Sequence, residues 1–276
     1  MNIHLRPISI SFLVVPLVAF QQLPPHRLFC RMMQSLSSEG LTDIGEKNEY
    51  DVNPMENKMM SWRDRIDISI GRSRKIRGSN YVQISTISQG EPRCRTVVFR
   101  GFQNLPAQHP YSVTYEHNSD SNTEIKKSCV MKMITDNRSN KVSDASQCSM
   151  TELVWWFPKS SEQYRVRGHL CFVGGGDFEL DNDPYLSSAR REQWGNLSDP
   201  AREQFFWQEP GIPYNGEPAV VPLGGRTPEG KLLAPPNTFL LMLLRPHYID
   251  YLRLGDNFRQ IDELVEGEWK QQRVSP

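Results

Sequence analysis

Between Tyr81 and Val173 the apolar residues abandon a helical spacing for a period of two, and that switch limits the fold more than any other feature of the chain. Residues 81–87 (YVQISTI), 94–102 (CRTVVFRGF), 128–135 (SCVMKMIT), 153–157 (LVWWF) and 164–173 (YRVRGHLCFV) are rich in β-branched and aromatic side chains and read as strands. Gly90 and Pro92, inside SQGEPR, predict a hairpin turn between the first pair. The polar stretch 104–127 predicts a loop inserted between strands. Trp62, Ile66 and Ile70, at i, i+4 and i+8, predict an amphipathic helix ahead of the first strand. A short helix is expected over 139–148, and a longer one over 199–208, where Asp199 can cap and Pro200 suits the first turn. Residues 238–246 form a continuous apolar run that predicts a buried strand, with 249–254 as a candidate for another. Strands joined by short turns, with helices at the margins, point to a mainly β antiparallel barrel rather than an alternating α/β fold.

The N-terminus has a different character. Residues 1–38 contain Arg6, Arg27 and Arg31 and no acid, so the rest of the chain carries 29 basic against 32 acidic residues. A basic start, an apolar stretch from Ile10 to Phe20 and a small-residue exit at Val18-Ala19 are the marks of a cleavable targeting segment. With Ala19-Phe20 at a junction before an acid-free, Ser-bearing stretch, residues 1–38 are expected to be a two-part plastid leader, with a mitochondrial leader or a buried N-terminal strand as the alternatives. Polar residues 39–59 read as a disordered linker, which leaves 60–276 as the folded domain. The apolar run around Phe12–Phe20 is too short for a convincing span, so no membrane association is expected of the mature form.

Composition removes several function classes. Balanced charge, 32 Lys+Arg against 32 Asp+Glu, argues against a general nucleic-acid binder. The cysteines Cys30, Cys94, Cys129, Cys148 and Cys171 are odd in number and widely spaced, so neither a disulfide framework nor a zinc site is expected; they read as small buried hydrophobes. GxSxG, HExxH, GxxxxGK[ST] and GxGxxG are all missing, and Gly174-Gly175-Gly176 leads into DFELDND rather than a helix, which makes it a turn before a phosphate loop.

Three segments place cations and amides on or beside apolar strands. In Pro92-Arg93-Cys94-Arg95-Thr96-Val97-Val98-Phe99-Arg100-Gly101, arginines at both ends of a strand are costly to bury without an anionic partner. In Thr135-Asp136-Asn137-Arg138-Ser139-Asn140-Lys141, a strand end runs into a helix start, where hydroxyls, amides and cations suit a phosphate. In Gln163-Tyr164-Arg165-Val166-Arg167-Gly168, a side-chain amide that both donates and accepts suits the edge of a heterocycle. Taken singly, the first could be an exposed edge strand and the second a capped helix start. Their order along successive strands raises the functional reading.

That order, P-x-x-R-x-V-x-x-[KR]-G, then T-[ND]-x-x-S-x-K, then Q-x-x-V-x-G, resembles the pyridoxamine 5′-phosphate oxidase family of FMN-dependent split barrels. The ending Trp269 to Pro276 is similar to that family's W-x-x-x-R-L-x-P. RTVVFRGF, TDNRS-x-K, Trp155–Pro158 with Glu162-Gln163, and LSDPAREQFFW resemble its branch in cyanobacteria and photosynthetic eukaryotes. The resemblance spans roughly 60–276 and implies a six-stranded antiparallel split barrel, a homodimer and FMN at the subunit interface. It implies FMN contacts from Arg95, Thr96, Val97, Val98, Arg100, Thr135, Arg138, Ser139, Lys141 and Gln163. Arg100 is the implied catalytic cation, and Tyr185, Arg190 and Arg191 join it on the substrate. Because alternation puts Arg95 and Arg100 on opposite faces, both can serve one flavin only through a bulge, a strand end or a second subunit.

Some positions depart from the family pattern. Asn140 stands where the family has Arg, with Arg138 as a possible stand-in, and Arg100 stands where it has Lys. The family's substrate Arg follows its Tyr by four residues, whereas Arg190 and Arg191 follow Tyr185 by five and six. The C-terminal R-L-H-x-R segment is contracted into Arg253–Arg259 and contains no His. The implied activity is oxidation of pyridoxamine or pyridoxine 5′-phosphate to pyridoxal 5′-phosphate with oxygen as acceptor. The alternatives are a flavin reductase or other FMN oxidoreductase, and a non-catalytic flavin- or tetrapyrrole-binding barrel.

Overall fold

The computed structural model describes residues 58–118, 124–214, 216 and 220–276, so the leader and nearly all of the linker lie outside the described residues. The expected amphipathic helix is α1, Trp62–Ser73, whose Ser61 cap accepts a hydrogen bond from the Asp64 amide at 3.0 Å. It buries Trp62 and Ile66 completely. β1 (Tyr81–Ser88) and β2 (Glu91–Val98) pair antiparallel around the expected turn, with Ser88 opposite Glu91. They are followed by β5 (Met131–Asp136), α2 (Asn140–Gln147), β6 (Met150–Phe157) and β7 (Glu162–Val173).

Six strands close the barrel. The order β1, β6, β7 and then β8 (Phe239–Arg253) is continuous, and β5 pairs with the first half of β8 from Met131↔Leu244 to Asp136↔Phe239. The chain beyond β2 completes the circuit. The Arg100 amide donates to Lys132 O, the Lys132 amide to Gly101 O and the Gln103 amide to Val130 O, each at 2.8 Å. Ile84, Leu153, Trp155, Tyr164, Val166, Met242 and Tyr251 fill the interior, each no more than 1% exposed. The second half of β8 carries two further strands outside the barrel, β9 (Phe258–Val265) and β10 (Glu268–Val274).

Four expectations are corrected. The predicted loop 104–127 contains a hairpin, β3 (Thr114–Asn118) with β4 (Glu124–Ser128). Its sequence is polar because only one side is covered: Trp269 stacks on Tyr115 at 6.1 Å and donates from Nε1 to Thr114 O. The predicted helix 199–208 stops early, as α4 (Asp199–Glu203) and one 3₁₀ turn (Gln204–Phe206), because Phe205 turns into a satellite core. That core also holds Phe239 and Trp194, the latter from α3 (Pro184–Gly195). Residues 238–246 and 249–254 belong to one strand that runs through Pro246, opposite Gly168, where the β7–β8 register shifts and leaves His247 of β8 unpaired in the ladder beside the proline that has no amide to give. A Cβ on Gly168 would fall onto the Arg245 carbonyl, so this close approach admits only glycine. Cys94, finally, is exposed rather than buried, since it sits on the outer side of edge strand β2.

Candidate functional site

Four of the expected residues meet at one rim of the barrel. Lys141, in the first turn of α2, donates from Nζ to Thr135 Oγ1 and Ser139 Oγ, both at 2.9 Å. Ser139 Oγ in turn donates to Asp136 O at 2.7 Å instead of capping α2, so the N-cap residue leaves the helix's first amides uncapped. Arg95 reaches the same place from β2. Its Nη1 donates to Thr86 Oγ1 at 2.6 Å and its Nη2 lies 3.6 Å from Asp144 Oδ2. Burial, and then the nearby Arg95 charge, push the Lys141 ammonium below its ordinary pKa. Two cations are therefore held beside hydroxyls and uncapped amides in a place that raises the energy of Lys141's charge. An anion placed there would lower it, and this donor set fits a phosphate ester such as that of FMN.

Two further members of this site were not foreseen. Thr86 bridges Arg95 to Asp144, donating to Asp144 Oδ2 at 2.7 Å. Neither has a signature in sequence, because they meet only when α2 folds back on β1. The other oversight is visible in retrospect: Lys132 interrupts the apolar run of β5 and is 9% exposed, and burial lowers its pKa.

The Arg95–Arg100 question has a structural answer. Arg95 pairs with Ile84, on the inward parity of the sheet, and Thr96 and Val98 alternate outward while Val97 packs on the core. At Arg100 the alternation breaks. Arg100 and Gly101 both bond to Lys132, two residues opposite one, which is a β-bulge, and Gly101 takes φ 101° to make it. The bulge re-aims Arg100, which is exposed, without moving Arg95.

Gln163 is elsewhere. It pairs with Trp156 and Leu252, on the outer face. Arg95 shares its row with Ile84, Leu153 and Val166, three residues further along β7, about 10 Å away on the opposite side of the sheet. One chain does not bring Gln163 to the Lys141 rim.

Several of the expected site residues have partners within the chain or stand apart from one another. Arg138, expected as a phosphate cation, grips both Asp136 oxygens, at 2.9 and 2.7 Å, and donates to Trp207 O at 2.7 Å. Arg190 points inward from α3 and donates to the carbonyls of Phe239 and Pro236 at 2.8 and 2.7 Å. It is a strut for the entry to β8. Tyr185 and Arg191 are both exposed, but helical geometry puts them about 120° apart around α3, so Tyr185, Arg190 and Arg191 do not share a face. His109 packs edge-on to Tyr185 instead, at 6.2 Å, and is held by Asp183 at 2.8 Å. The triple glycine is a turn, as expected, because Asp181 accepts from the amides of Gly174 and Gly176. Among the described residues no His/Cys/Asp/Glu group could hold a metal ion, and no helix is long and apolar enough to cross a membrane.

Residues 59–174 match the family described as pyridoxamine 5′-phosphate oxidase, FMN-binding domain. The chain is 28% identical over 226 residues to the pyridoxine/pyridoxamine 5′-phosphate oxidase 2 of Arabidopsis thaliana, covering 78% of this chain and 96% of the relative. A pyridoxamine 5′-phosphate oxidase-related, FMN-binding protein from Nostoc punctiforme superposes with TM-score 0.61 at 29% identity, over 79% of this chain and all (100%) of that one. PhzG from Burkholderia lata, in complex with tetrahydrophenazine-1-carboxylic acid, superposes with TM-score 0.51 at 14% identity, over 83% and 96% of the two chains, and shares the fold alone.

Proposed function

We propose that the chain, whose residues 59–174 match the pyridoxamine 5′-phosphate oxidase FMN-binding domain family, is an FMN-binding split barrel of that family and oxidises pyridoxamine or pyridoxine 5′-phosphate to pyridoxal 5′-phosphate, with oxygen as the acceptor. The observation that carries this reading is the rim where Lys141, Thr135, Ser139 and Arg95 gather. FMN, when bound, supplies the two-electron redox chemistry. The chain's residues do the rest. Lys141, Arg95, the two hydroxyls and the α2 amides hold the phosphate. Arg100, swung outward by the bulge, supplies positive charge toward the flavin and substrate. Arg191 is the exposed cation of α3 left to meet the substrate's own phosphate, because Arg190 is taken up in structure.

We further propose that the working unit is a homodimer. Gln163 lies on the outer face in a row with Trp156, itself 40% exposed, and Leu252. A second copy laid on that face would bring its Gln163 to the first copy's flavin and cover the exposed tryptophan.

The test is anaerobic. Pyridoxamine 5′-phosphate added to the FMN-loaded chain should bleach the oxidised-flavin absorbance, and air should restore it. A flavin that stays oxidised sinks the substrate assignment. The engagement of Arg190 in carbonyl bonds thins the expected substrate site and favours a nicotinamide-dependent flavin reductase as the second reading. NADPH bleaching the flavin where the vitamer does not would select it.

A further inference from the structure

The outer face carries a second polar cluster that the flavin rim leaves unused. Just past Gly168, His169 of β7 stands directly opposite Arg245 of β8. The segment 106–113 folds over them: the Arg245 guanidinium lies 4.7 Å above the Tyr111 ring and its Nη2 donates to Pro110 O at 3.2 Å. Beneath this arch a cavity of about 340 Å³ opens, lined by Tyr111, Ser149, His169, Leu170, Cys171 and Arg245. It is separate from the Lys141 rim, which uses the inward parity of β1 and β2.

The wall of this cavity is short of acceptors. Arg245 Nε is buried with no hydrogen-bond partner, and so is Nδ1 of the neighbouring His247, whose ring lies 5.5 Å from that of His169. A buried guanidinium N–H without an acceptor is costly, and native structures seldom tolerate one without a reason. Ser149 Oγ sits 3.0 Å from His169 Nδ1 and fixes that ring, leaving His169 Nε2 without a partner among the described residues. The nearby carboxylate, Glu179, is already engaged by the Tyr111 hydroxyl at 3.2 Å. Burial holds the Cys171 thiol up at about 12, so it brings no competing negative charge. Guanidinium, imidazole and hydroxyl groups thus converge on a space that admits a ring-sized molecule.

We propose that this cavity is a second binding site, for a small anionic metabolite bearing a carboxylate or phosphate, held by Arg245 and His169 on the face opposite to the flavin-phosphate rim. The anion accepts from the Arg245 guanidinium and from His169 Nε2, and Tyr111 forms a wall for its apolar part.

Inorganic phosphate and benzoate, titrated separately by calorimetry into the full chain saturated with FMN, test the site and distinguish the two head groups. Saturable one-to-one heat with either anion is expected, and it should persist in Lys141→Met, whose flavin-phosphate rim is impaired. Arg245→Gln and His169→Gln should each weaken it about tenfold or more. His169 is exposed, so His169→Gln decides the matter if Arg245→Gln fails to fold. No saturable heat with either anion overturns the proposal, as does binding that is lost in Lys141→Met or that ignores both substitutions.

Discussion

Lys141→Met separates a ligand-binding lysine from a structural one. The substitution keeps the methylene packing and removes the ammonium that donates to Thr135 and Ser139 at 2.9 Å. In the flavin-free protein the loss is small. The two hydroxyls remain 3.1 Å apart and bond to each other, Ser139 keeps its bond to Asp136 O, and both the burial penalty on the ammonium and its repulsion by Arg95 disappear. We expect the free protein's stability to move by no more than about 1 kcal/mol. In the complex a charged donor to the phosphate is missing, worth about 1.5–3 kcal/mol. That corresponds to a flavin dissociation constant raised about ten- to a hundredfold. Flavin fluorescence titration reads the affinity, and a denaturant melt of the flavin-free protein reads the stability. An affinity unchanged within about twofold would refute the phosphate role. A melt that falls by several kcal/mol alongside the affinity would make Lys141 a structural residue.

Other substitutions test the remaining assignments. Arg138→Ala should cost about 1–2 kcal/mol in a melt, because it strips the Asp136 carboxylate of its partner, while flavin affinity changes by less than about threefold. Arg190→Ala should destabilise by about 3 kcal/mol, since the carbonyls of Phe239 and Pro236 lose their charged donor; Arg191→Ala should leave the melt unchanged and raise the substrate's KM. Buried Asp262 gives a pH signature. Burial lifts its carboxyl from an ordinary 3.8 to about 6, against hydrogen bonds from Gln260, Gln271 and the Trp62 amide. The folded state then holds a proton that the unfolded state has released, so stability should fall as pH rises from about 4 to about 6. The full effect is about 3 kcal/mol. Asp262→Asn should flatten that segment of a stability–pH curve, and a slope that persists would remove Asp262 as its source.

Much of the fold was legible in order along the chain. The period-two segments became β1, β2, β5, β6 and β7, because a strand with one face in a barrel must alternate. β3, β4, β9 and β10 escaped notice because their faces are covered late and partially, by contacts such as Tyr115 on Trp269, which join residues more than 150 positions apart. Pro246 suggested a break that the paired chain bridges, because Gly168 and a register shift opposite it remove the need for its amide. The residues of the proposed phosphate seat could be picked out as a cluster because Thr135, Ser139 and Lys141 are local, within one strand-to-helix turn. The partners of Arg138 and Arg190 were not legible for a common reason: a cation's sequence position says nothing about whether a carboxylate or a bare carbonyl will claim it.

The sequence by itself therefore determined what local chemistry and periodicity can carry: a mainly β antiparallel barrel, and the cluster of Thr135, Ser139 and Lys141 on one strand-to-helix turn. Tertiary structure alone decided which cations stay available. The bulge at Arg100 and Gly101, the capture of Arg190 by the entry to β8, the placement of Gln163 on the outer face and the arch over Arg245 all depend on which strand lies opposite which. Register fixes those neighbours, and it is settled by packing across the whole sheet rather than by any segment's own residues.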